Sequence, residues 1–254
     1  MCLILLAWRA HPEYPLVVAA NRDEYHARPS APAGFWEDRP DILGGRDLEF
    51  MGTWMAMTRA GKFAAVTNYR GSDGASAGTL SRGLLARRFL ENGERPAEFV
   101  RALAQDGAAY RGFNFLAGDL DELWWVSNRG AGARRLDAGI HGLSNHLLDT
   151  PWPKVTTGKL RLARALETAP AVDPLLALLA DTSVAADEEL PDTGVGPERE
   201  RALSAARIVA PGYGTRCSTV LMLGRTGRAR FAERAYDAQG NQGVTLQYEL
   251  RLTV

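Results

Sequence analysis

Lysine is nearly absent from this chain of 254 residues, and its few lysines stand at positions 62, 154 and 159. The positive charge therefore comes almost entirely from arginine. Thirty basic residues balance thirty acidic ones, so the formal net charge is zero. A chain without surplus positive charge lacks the electrostatic attraction that drives binding to nucleic acids or anionic membranes. We therefore expect no nucleic-acid partner.

Cysteine is also scarce. The two cysteines, Cys2 and Cys217, lie near opposite ends of the chain, which excludes a disulfide framework and a cysteine metal cluster. The four histidines show no metal-ligand spacing, and no segment matches a phosphate-binding loop or a dinucleotide fingerprint. The sequence therefore predicts no metal and no cofactor.

Long hydrophobic runs are missing as well. No apolar run approaches the roughly 20 residues that span a bilayer, so we expect no transmembrane helix. The run at residues 3–8 is short and has neither a basic leader nor an Ala-x-Ala-like cleavage site, so we expect no secretory signal and a cytoplasmic location. Because 46% of the residues are hydrophobic, the chain can bury a sizeable core, and we expect one domain over residues 1–254.

The chain begins with two apolar runs, 3–8 and 16–20, which predict a pair of β-strands joined by a proline-containing loop. The second run ends in four polar residues, Asn21-Arg22-Asp23-Glu24. If the strands pair antiparallel, Cys2 lies beside the end of the second strand, near a guanidinium and two carboxylates. The tetrad is either a solvated turn or part of a strand that buries some of its members, and a buried Arg22 needs a carboxylate partner.

Cys2 follows the initiator methionine and becomes the first residue of the chain once Met1 is removed. A cysteine at that position carries a thiol and a free amine, which together supply a nucleophile and a base. The amine titrates near 7.7–8.0 in a free chain, and an arginine beside the thiol lowers the thiol pKa. The alternative interpretation is a small buried hydrophobic residue in an apolar strand.

Three further polar residues stand where strands are predicted to end or begin. Asn68 and Asn145 each close a strand, where asparagine either forms turns or donates its amide to a developing oxyanion. Arg216 follows a glycine-containing segment and opens a strand, which is typical of a tight turn or of close backbone approach to a ligand. Cys217 is predicted to be a strand residue without chemistry.

The rest of the chain divides into strand signals at both ends and helical periodicity between them. Further strands are predicted at 54–58, 63–68, 113–117, 123–127, 139–144, 217–223, 228–233 and 244–252. Helices are predicted at 81–92, from Pro96 onward, at 154–168 and at 173–181. Segregated hairpins and helix pairs favour an α+β fold, with two sheets face to face and helices on both outer faces.

Loops are predicted where proline, glycine and small residues cluster. Residues 28–33 form a proline-punctuated loop, and residues 70–79 form a loop that is mobile or covers a ligand. Ser81 is predicted to cap the first helix.

Several ordered motifs resemble those of the NRDE family, also called the transport and Golgi organisation protein two family. The similarity runs along the whole chain and rests on Met1-Cys2, Asn21-Arg22-Asp23-Glu24, Met51-Gly52-Thr53-Trp54, Val66-Thr67-Asn68-Tyr69, Gly112-Phe113-Asn114, Ser127-Asn128-Arg129-Gly130, Gly142-Leu143-Ser144-Asn145, Thr150-Pro151-Trp152 and Gly212-Tyr213-Gly214-Thr215-Arg216. The resemblance implies a fold similar to that of N-terminal-nucleophile hydrolases, a four-layer αββα sandwich.

The chemically understood relatives of that fold are the penicillin V acylases and bile-salt hydrolases, which also begin Met-Cys. Their working groups are an N-terminal cysteine, an arginine ending the second strand, an aspartate near the amine, two oxyanion asparagines and a late arginine. The resemblance carries these roles to Cys2, Arg22, Asp23, Asn68, Asn145 and Arg216. Those enzymes place the aspartate three residues after the arginine, where this chain has Tyr25, so the role belongs either to Asp23 or to Glu24.

Two functions follow from this resemblance. The first is a cysteine amidase that hydrolyses a linear amide or similar C–N bond of a small substrate. The second is a carrier that keeps the scaffold without catalysis and binds an anionic, partly apolar ligand such as haem or acyl-CoA. In the carrier, Arg22 and Arg216 would meet the anion, and Trp54, Trp124 or Trp125 would supply apolar walls. The sequence indicates neither the substrate nor the oligomeric state.

Overall fold

A computed structural model describes residues 2–71, 78, 80–168 and 170–253 of the chain. The described strands are β1 (Cys2–Trp8), β2 (Leu16–Tyr25), β3 (Ser30–Trp36), β4 (Arg39–Asp47), β5 (Met55–Thr58), β6 (Phe63–Asn68), β7 (Phe113–Gly118), β8 (Leu123–Ser127), β9 (Arg134–Arg135), β10 (Gly139–Leu143), β11 (Val209–Ala210), β12 (Tyr213–Leu223), β13 (Arg228–Tyr236) and β14 (Gln242–Arg251). The described α-helices are α1 (Gly83–Glu91), α2 (Pro96–Asp106), α3 (Pro153–Ala165), α4 (Val172–Leu179) and α5 (Pro197–Ser204). Short 3₁₀ helices lie at Gly107–Ala109 and Asp187–Glu189.

The strands form two antiparallel sheets. In the first sheet the order is β10-β1-β2-β12-β13-β14, with β11 paired to β12, so strands from both ends of the chain lie side by side. The second sheet runs from β3 to β9 in sequence order. Neighbouring strands of the second sheet are joined by short connections except between β6 and β7, where α1 and α2 intervene.

Three hydrophobic clusters define the layers. One lies between the two sheets and includes Ile4, Met57 and Leu221. A second lies between the second sheet and helices α1 and α2, and a third between the first sheet and helices α3 and α4. The fold is therefore the α+β, four-layer αββα sandwich that the sequence predicts. No described helix is long and apolar enough to cross a membrane.

Strand β1 is buried along its whole length because both of its faces are covered. Its side chains alternate, so that Ile4 enters the core between the sheets while Leu3 and Leu5 face the helices. Cys2 lies on the inter-sheet face. Because side chains alternate along a strand, each residue's position in β1 determines whether its side chain faces the other sheet or the helices.

The polar tetrad 21–24 is part of strand β2, which continues to Tyr25. The solvated-turn interpretation is therefore wrong. Strand β12 pairs with β2 along the whole tetrad, and β1 pairs with it as far as Arg22, so the backbone of Asn21 and Arg22 is held on both sides.

The predicted loop at 28–33 is also wrong, because β3 begins at Ser30. Strand β3 is the edge of the second sheet, and its pairing shifts register between Ala31 and Gly34. Proline is tolerated at an edge or bulge, since its missing N–H breaks no ladder hydrogen bond there.

Ser81 does not cap the first helix, which begins at Gly83 after Arg82 and has no side-chain cap. Most of the predicted loop at 70–79 lies outside the described residues. The start of α1 is instead fixed by close backbone packing, because a Cβ on Gly52 would lie 2.6 Å from the Gly83 carbonyl carbon. The Thr53 N–H also donates to the Gly83 oxygen at 3.2 Å. The motif at residues 51–54 therefore positions the beginning of this helix.

We expect Gly52→Ala to destabilise the fold by about 1–3 kcal/mol, because its methyl group would overlap the Gly83 backbone. Urea denaturation measures the change in the free energy of unfolding. The matched control is Gly93→Ala, whose Cβ would meet nothing within 4 Å and which should leave stability unchanged. Equal stability of both variants would contradict this account of the motif.

Candidate functional site

Cys2, Arg22 and Cys217 lie side by side on three neighbouring strands. In the register of the sheet, Cys2 is opposite Arg22 and Arg22 is opposite Cys217. All three line a cavity of about 600 Å³ between the sheets. Two strand spacings amount to roughly 10 Å, which is too far for a disulfide between the cysteines. Both thiols are free.

The Cys2 backbone is held by the segment that follows β10. The Cys2 N–H lies 3.4 Å from the Asn145 Oδ1, and the Ser144 hydroxyl donates to the Cys2 carbonyl at 3.0 Å. The Asn145 Nδ2 donates to the Asn68 carbonyl at 3.0 Å. These bonds join the ends of three strands that are distant in sequence around Cys2.

The two predicted oxyanion asparagines are brought together but differ in their surroundings. Asn68 lines the cavity, and its side-chain amide has no hydrogen bond with any described residue. Asn145 is completely buried behind Cys2 and does not line the cavity. Its amide is engaged in holding Cys2 and Asn68, which suits a positioning residue better than an oxyanion donor.

Asp23 is adjacent to Arg22 and therefore faces the opposite side of the sheet, toward the helices. Its Oδ1 accepts a hydrogen bond from the Thr215 hydroxyl at 2.7 Å. Burial raises the pKa of Asp23, and the charge of Lys154 on α3 opposes that rise. Burial in turn lowers the pKa of Lys154 to about 8. Glu24, the other candidate, lines the cavity with Arg28 3.9 Å away.

Cys2 is 7% exposed, and burial raises the pKa of its thiol. A hydrogen bond from the Asp23 backbone and the charge of Arg22 favour the thiolate and oppose this rise. The pKa of Cys217 is raised well above its usual range by burial and by the nearby carboxylate of Glu233. Of the two thiols in the cavity, Cys2 is therefore better placed for nucleophilic chemistry.

The two predicted arginines are used differently. Arg22 is 8% exposed and has no hydrogen bond or ion pair with the described part of the chain. Arg216 lines the cavity but donates to the backbone carbonyls of Tyr25, His26 and Arg28 at 3.0–3.2 Å. Arg216 therefore secures the turn after β2.

Of the three tryptophans expected to form apolar walls, one lines the cavity. Trp54 lines the cavity, but Trp124 and Trp125 do not. Trp124 packs in the cluster beneath α1 and α2, and Trp125 donates to Asn114 within the inter-sheet core.

Several site residues are absent from the sequence-based prediction, namely Ser144, Lys154, Thr215 and Glu233. Ser144 and Thr215 stand in motifs that carry the family resemblance, and Lys154 stands out because lysine is so rare in this chain. Within the described ranges, no group of His, Cys, Asp or Glu side chains could hold a metal ion.

The segment that carries Asn145 is braced by Asp149. The Asp149 carboxylate accepts from the Gly142 N–H at 2.9 Å and from the Lys159 ammonium at 2.6 Å, and it lies 2.9 Å from the His141 Nδ1. These partners lower the pKa of Asp149 from 3.8 to about 2, against the opposing effect of burial.

The two-sheet α+β fold is similar to that of N-terminal-nucleophile hydrolases. An orthologue of N-acylethanolamine-hydrolyzing acid amidase from Caenorhabditis elegans superposes with a TM-score of 0.50 and 10% identity, over 87% of this chain and 92% of the other. A mutant of the conjugated bile acid hydrolase from Clostridium perfringens superposes with a TM-score of 0.51 and 10% identity, over 100% of this chain and 98% of the other.

Residues 1–238 match the family model described as Transport and Golgi organisation 2. The human Transport and Golgi organization protein 2 homolog is 35% identical over 277 residues, which cover 99% of each chain. The mouse homolog is 32% identical over 275 residues, again covering 99% of each chain. The chain belongs to the Transport and Golgi organisation 2 family.

We expect the Asp149 brace to make stability depend on pH in the acid range. Because its folded pKa of about 2 lies below the ordinary 3.8, folding favours the ionised form. The stabilisation is complete above about pH 4 and is lost as the pH falls through 2. Asp149→Asn should remove this dependence and cost about 1–2 kcal/mol at pH 7, after allowance for solvent screening.

Urea denaturation at pH 3, 4 and 7 checks this expectation, with Asp106→Asn as the exposed control. If the stability of Asp149→Asn fell with pH as much as that of the original chain, Asp149 would not be the source of the acid dependence.

Proposed function

We propose that this chain, once Met1 is removed, is an N-terminal-cysteine hydrolase that cleaves a linear amide or similar C–N bond of a small acyl substrate. The observation that carries the proposal is the position of Cys2 at the wall of the cavity. Its thiol faces the space beside Arg22, and its backbone nitrogen lies 3.4 Å from the Asn145 Oδ1.

Removal of Met1 turns the Cys2 nitrogen into an amine that can accept the thiol proton. A free α-amine titrates near pH 7.7–8.0 and is a competent base at neutral pH. The amine is needed because burial raises the pKa of the thiol, so little thiolate would form unaided. Arg22, opposite Cys2 and without a partner among the described residues, stabilises the thiolate as it forms.

The sulphur then attacks the substrate carbonyl carbon, and the carbonyl oxygen takes up negative charge. The free amide of Asn68 donates to this oxyanion, while Asn145 holds Cys2 and Asn68 in position. The C–N bond breaks, the leaving nitrogen receives the proton from the Cys2 amine, and a thioester remains. Water attacks the thioester, releases the acid and restores the thiol.

Asp23 and Arg216 support this arrangement without touching the substrate. The Asp23 backbone donates to the Cys2 sulphur, and its carboxylate attracts the protonated amine. Burial raises the pKa of Asp23, and the charge of Lys154 opposes that rise and favours the carboxylate. Arg216 holds the carbonyls of the turn that follows β2.

A second candidate function is a carrier for an anionic, partly apolar ligand such as haem or acyl-CoA. It is favoured by the size of the cavity, which at about 600 Å³ lies within the range of small-ligand pockets, and by its many arginines. In this function the raised thiol pKa carries no penalty, since no nucleophile is required.

The first test compares the two thiols of the cavity. Cys2→Ala should lower turnover of a panel of N-acyl amides by about 1000-fold or more, because the nucleophile is removed. Cys217→Ala is the matched control and should change turnover only a few-fold, since its thiol has no part in the reaction. Intact mass spectrometry should show a chain lighter by one methionine.

Equal turnover by the original chain and Cys2→Ala would remove Cys2 from the mechanism. Retention of Met1 would have the same consequence, because the base would not exist. Saturable binding of haem or acyl-CoA, without hydrolysis of any amide, would favour the carrier.

The second test concerns the oxyanion. We expect Asn68→Ala to lower kcat by about 100- to 1000-fold with little change in KM, because its amide acts in the transition state. Steady-state kinetics measure both constants, and the exposed Asn241→Ala serves as control. A variant that raises KM alone would instead make Asn68 a substrate-binding residue.

A further inference from the structure

The arginines of the cavity are not all neutralised by carboxylates. The lining contains Arg22, Arg28, Arg46, Arg82, Arg111 and Arg216. Arg28 is paired with Asp47 and Glu49, each at 2.8 Å, and Arg46 is paired with Asp38.

Arg22, Arg82 and Arg111 form no ion pair with any carboxylate in the described ranges. Arg82 gives one N–H to the Gly112 carbonyl at 2.9 Å, which fixes the direction of its guanidinium and leaves other donors available. The other carboxylates of the lining have partners of their own: Asp23 faces the helices and accepts from Thr215, Glu24 lies 3.9 Å from Arg28, and Glu233 accepts from the Ala33 N–H at 2.7 Å. Six arginines thus line the cavity against five carboxylates (Asp23, Glu24, Asp47, Glu49 and Glu233), which leaves an excess of one positive charge.

The beginning of α1 adds to this excess. Residues 81–83 line the cavity, and the first turn of the helix carries no acidic side chain. The N-terminus of a helix has a partial positive charge and backbone N–H groups that favour anions. The packing of Gly52 against Gly83 holds this terminus against the cavity.

The burial of Arg22 without an ion pair independently indicates a ligand. The residue is 8% exposed, lines the same cavity and has no hydrogen-bond or ion-pair partner among the residues that the structure describes. A buried charge without a counter-ion is costly, and the cost falls when an anion occupies the cavity.

We propose that Arg82, Arg111 and the N-terminus of α1 form a binding subsite for an anionic group of the substrate, at the mouth of the cavity that contains Cys2. The substrate class is then an acyl amide that carries a carboxylate or phosphate. Phe50 and Leu80, about half exposed, line the same cavity and provide apolar surface for an alkyl chain. The assignment of the amide to the Cys2 end rests on the proposed function.

Binding, measured on the Cys2→Ala chain, separates this inference from catalysis. The probes are N-lauroylglycine, N-lauroyl-phosphoethanolamine and the neutral N-lauroylethanolamine, followed by isothermal titration calorimetry. We expect each of Arg82→Gln and Arg111→Gln to weaken binding of an anionic probe by about tenfold and to leave the neutral probe unchanged. The better-bound anionic probe identifies the preferred anion.

Arg101→Gln is the matched charge control, because Arg101 is exposed on α2 and lies over Trp124, away from the cavity. It should leave all three affinities unchanged. Arg111 is exposed, so its variant should fold even if Arg82→Gln does not. The subsite would be overturned if the variants lost as much affinity for the neutral probe as for the anionic probes. It would also be overturned if neither variant lost affinity, or if the anionic probes did not bind at all. None of these outcomes depends on whether Cys2 is a nucleophile.

Discussion

The pairing of β2 between β1 and β12 is the constraint on which the site depends. It joins the second residue of the chain to a strand more than 200 positions away and places Arg22 between the two thiols. Register decides the outcome, because a slip of one residue would exchange the faces of Arg22 and Asp23.

The same pairing concentrates buried charge at one end of the sheet. Arg22, Asp23, Lys154 and Glu233 are all nearly inaccessible to solvent. Burying charges costs free energy unless each finds partners, and Asp23 receives the Thr215 hydroxyl while Glu233 receives the Ala33 N–H. Arg22 lacks such compensation within the described chain. Departures of this kind from the rules of a stable core are expected where a protein acts on a ligand.

The candidate site residues lie at the ends of strands in two rigid sheets. Cys2, Asn68 and Asn145 lie at or just after the ends of three strands, where a regular ladder fixes the backbone but side chains still reach the cavity. The hydrolases that share this architecture do so at 10% identity, so the likeness concerns the scaffold. What this family binds is decided by the residues that line its own cavity.

The sequence alone determined the class of fold, because apolar strand signals at both ends and helix pairs between them leave few ways to bury two-faced strands. It also identified Cys2 and Arg22 as neighbours, since antiparallel pairing of adjacent strands follows from a short connection. It left open whether the tetrad continues β2, and it missed that residues 30–36 form an edge strand, because polar residues and proline are ordinarily loop signals. Only the tertiary structure decided that Asp23 faces Lys154, that Asn145 holds the backbone of Cys2 and that Arg82 joins the cavity. Those contacts connect residues far apart in sequence, and local patterns carry no information about such distances.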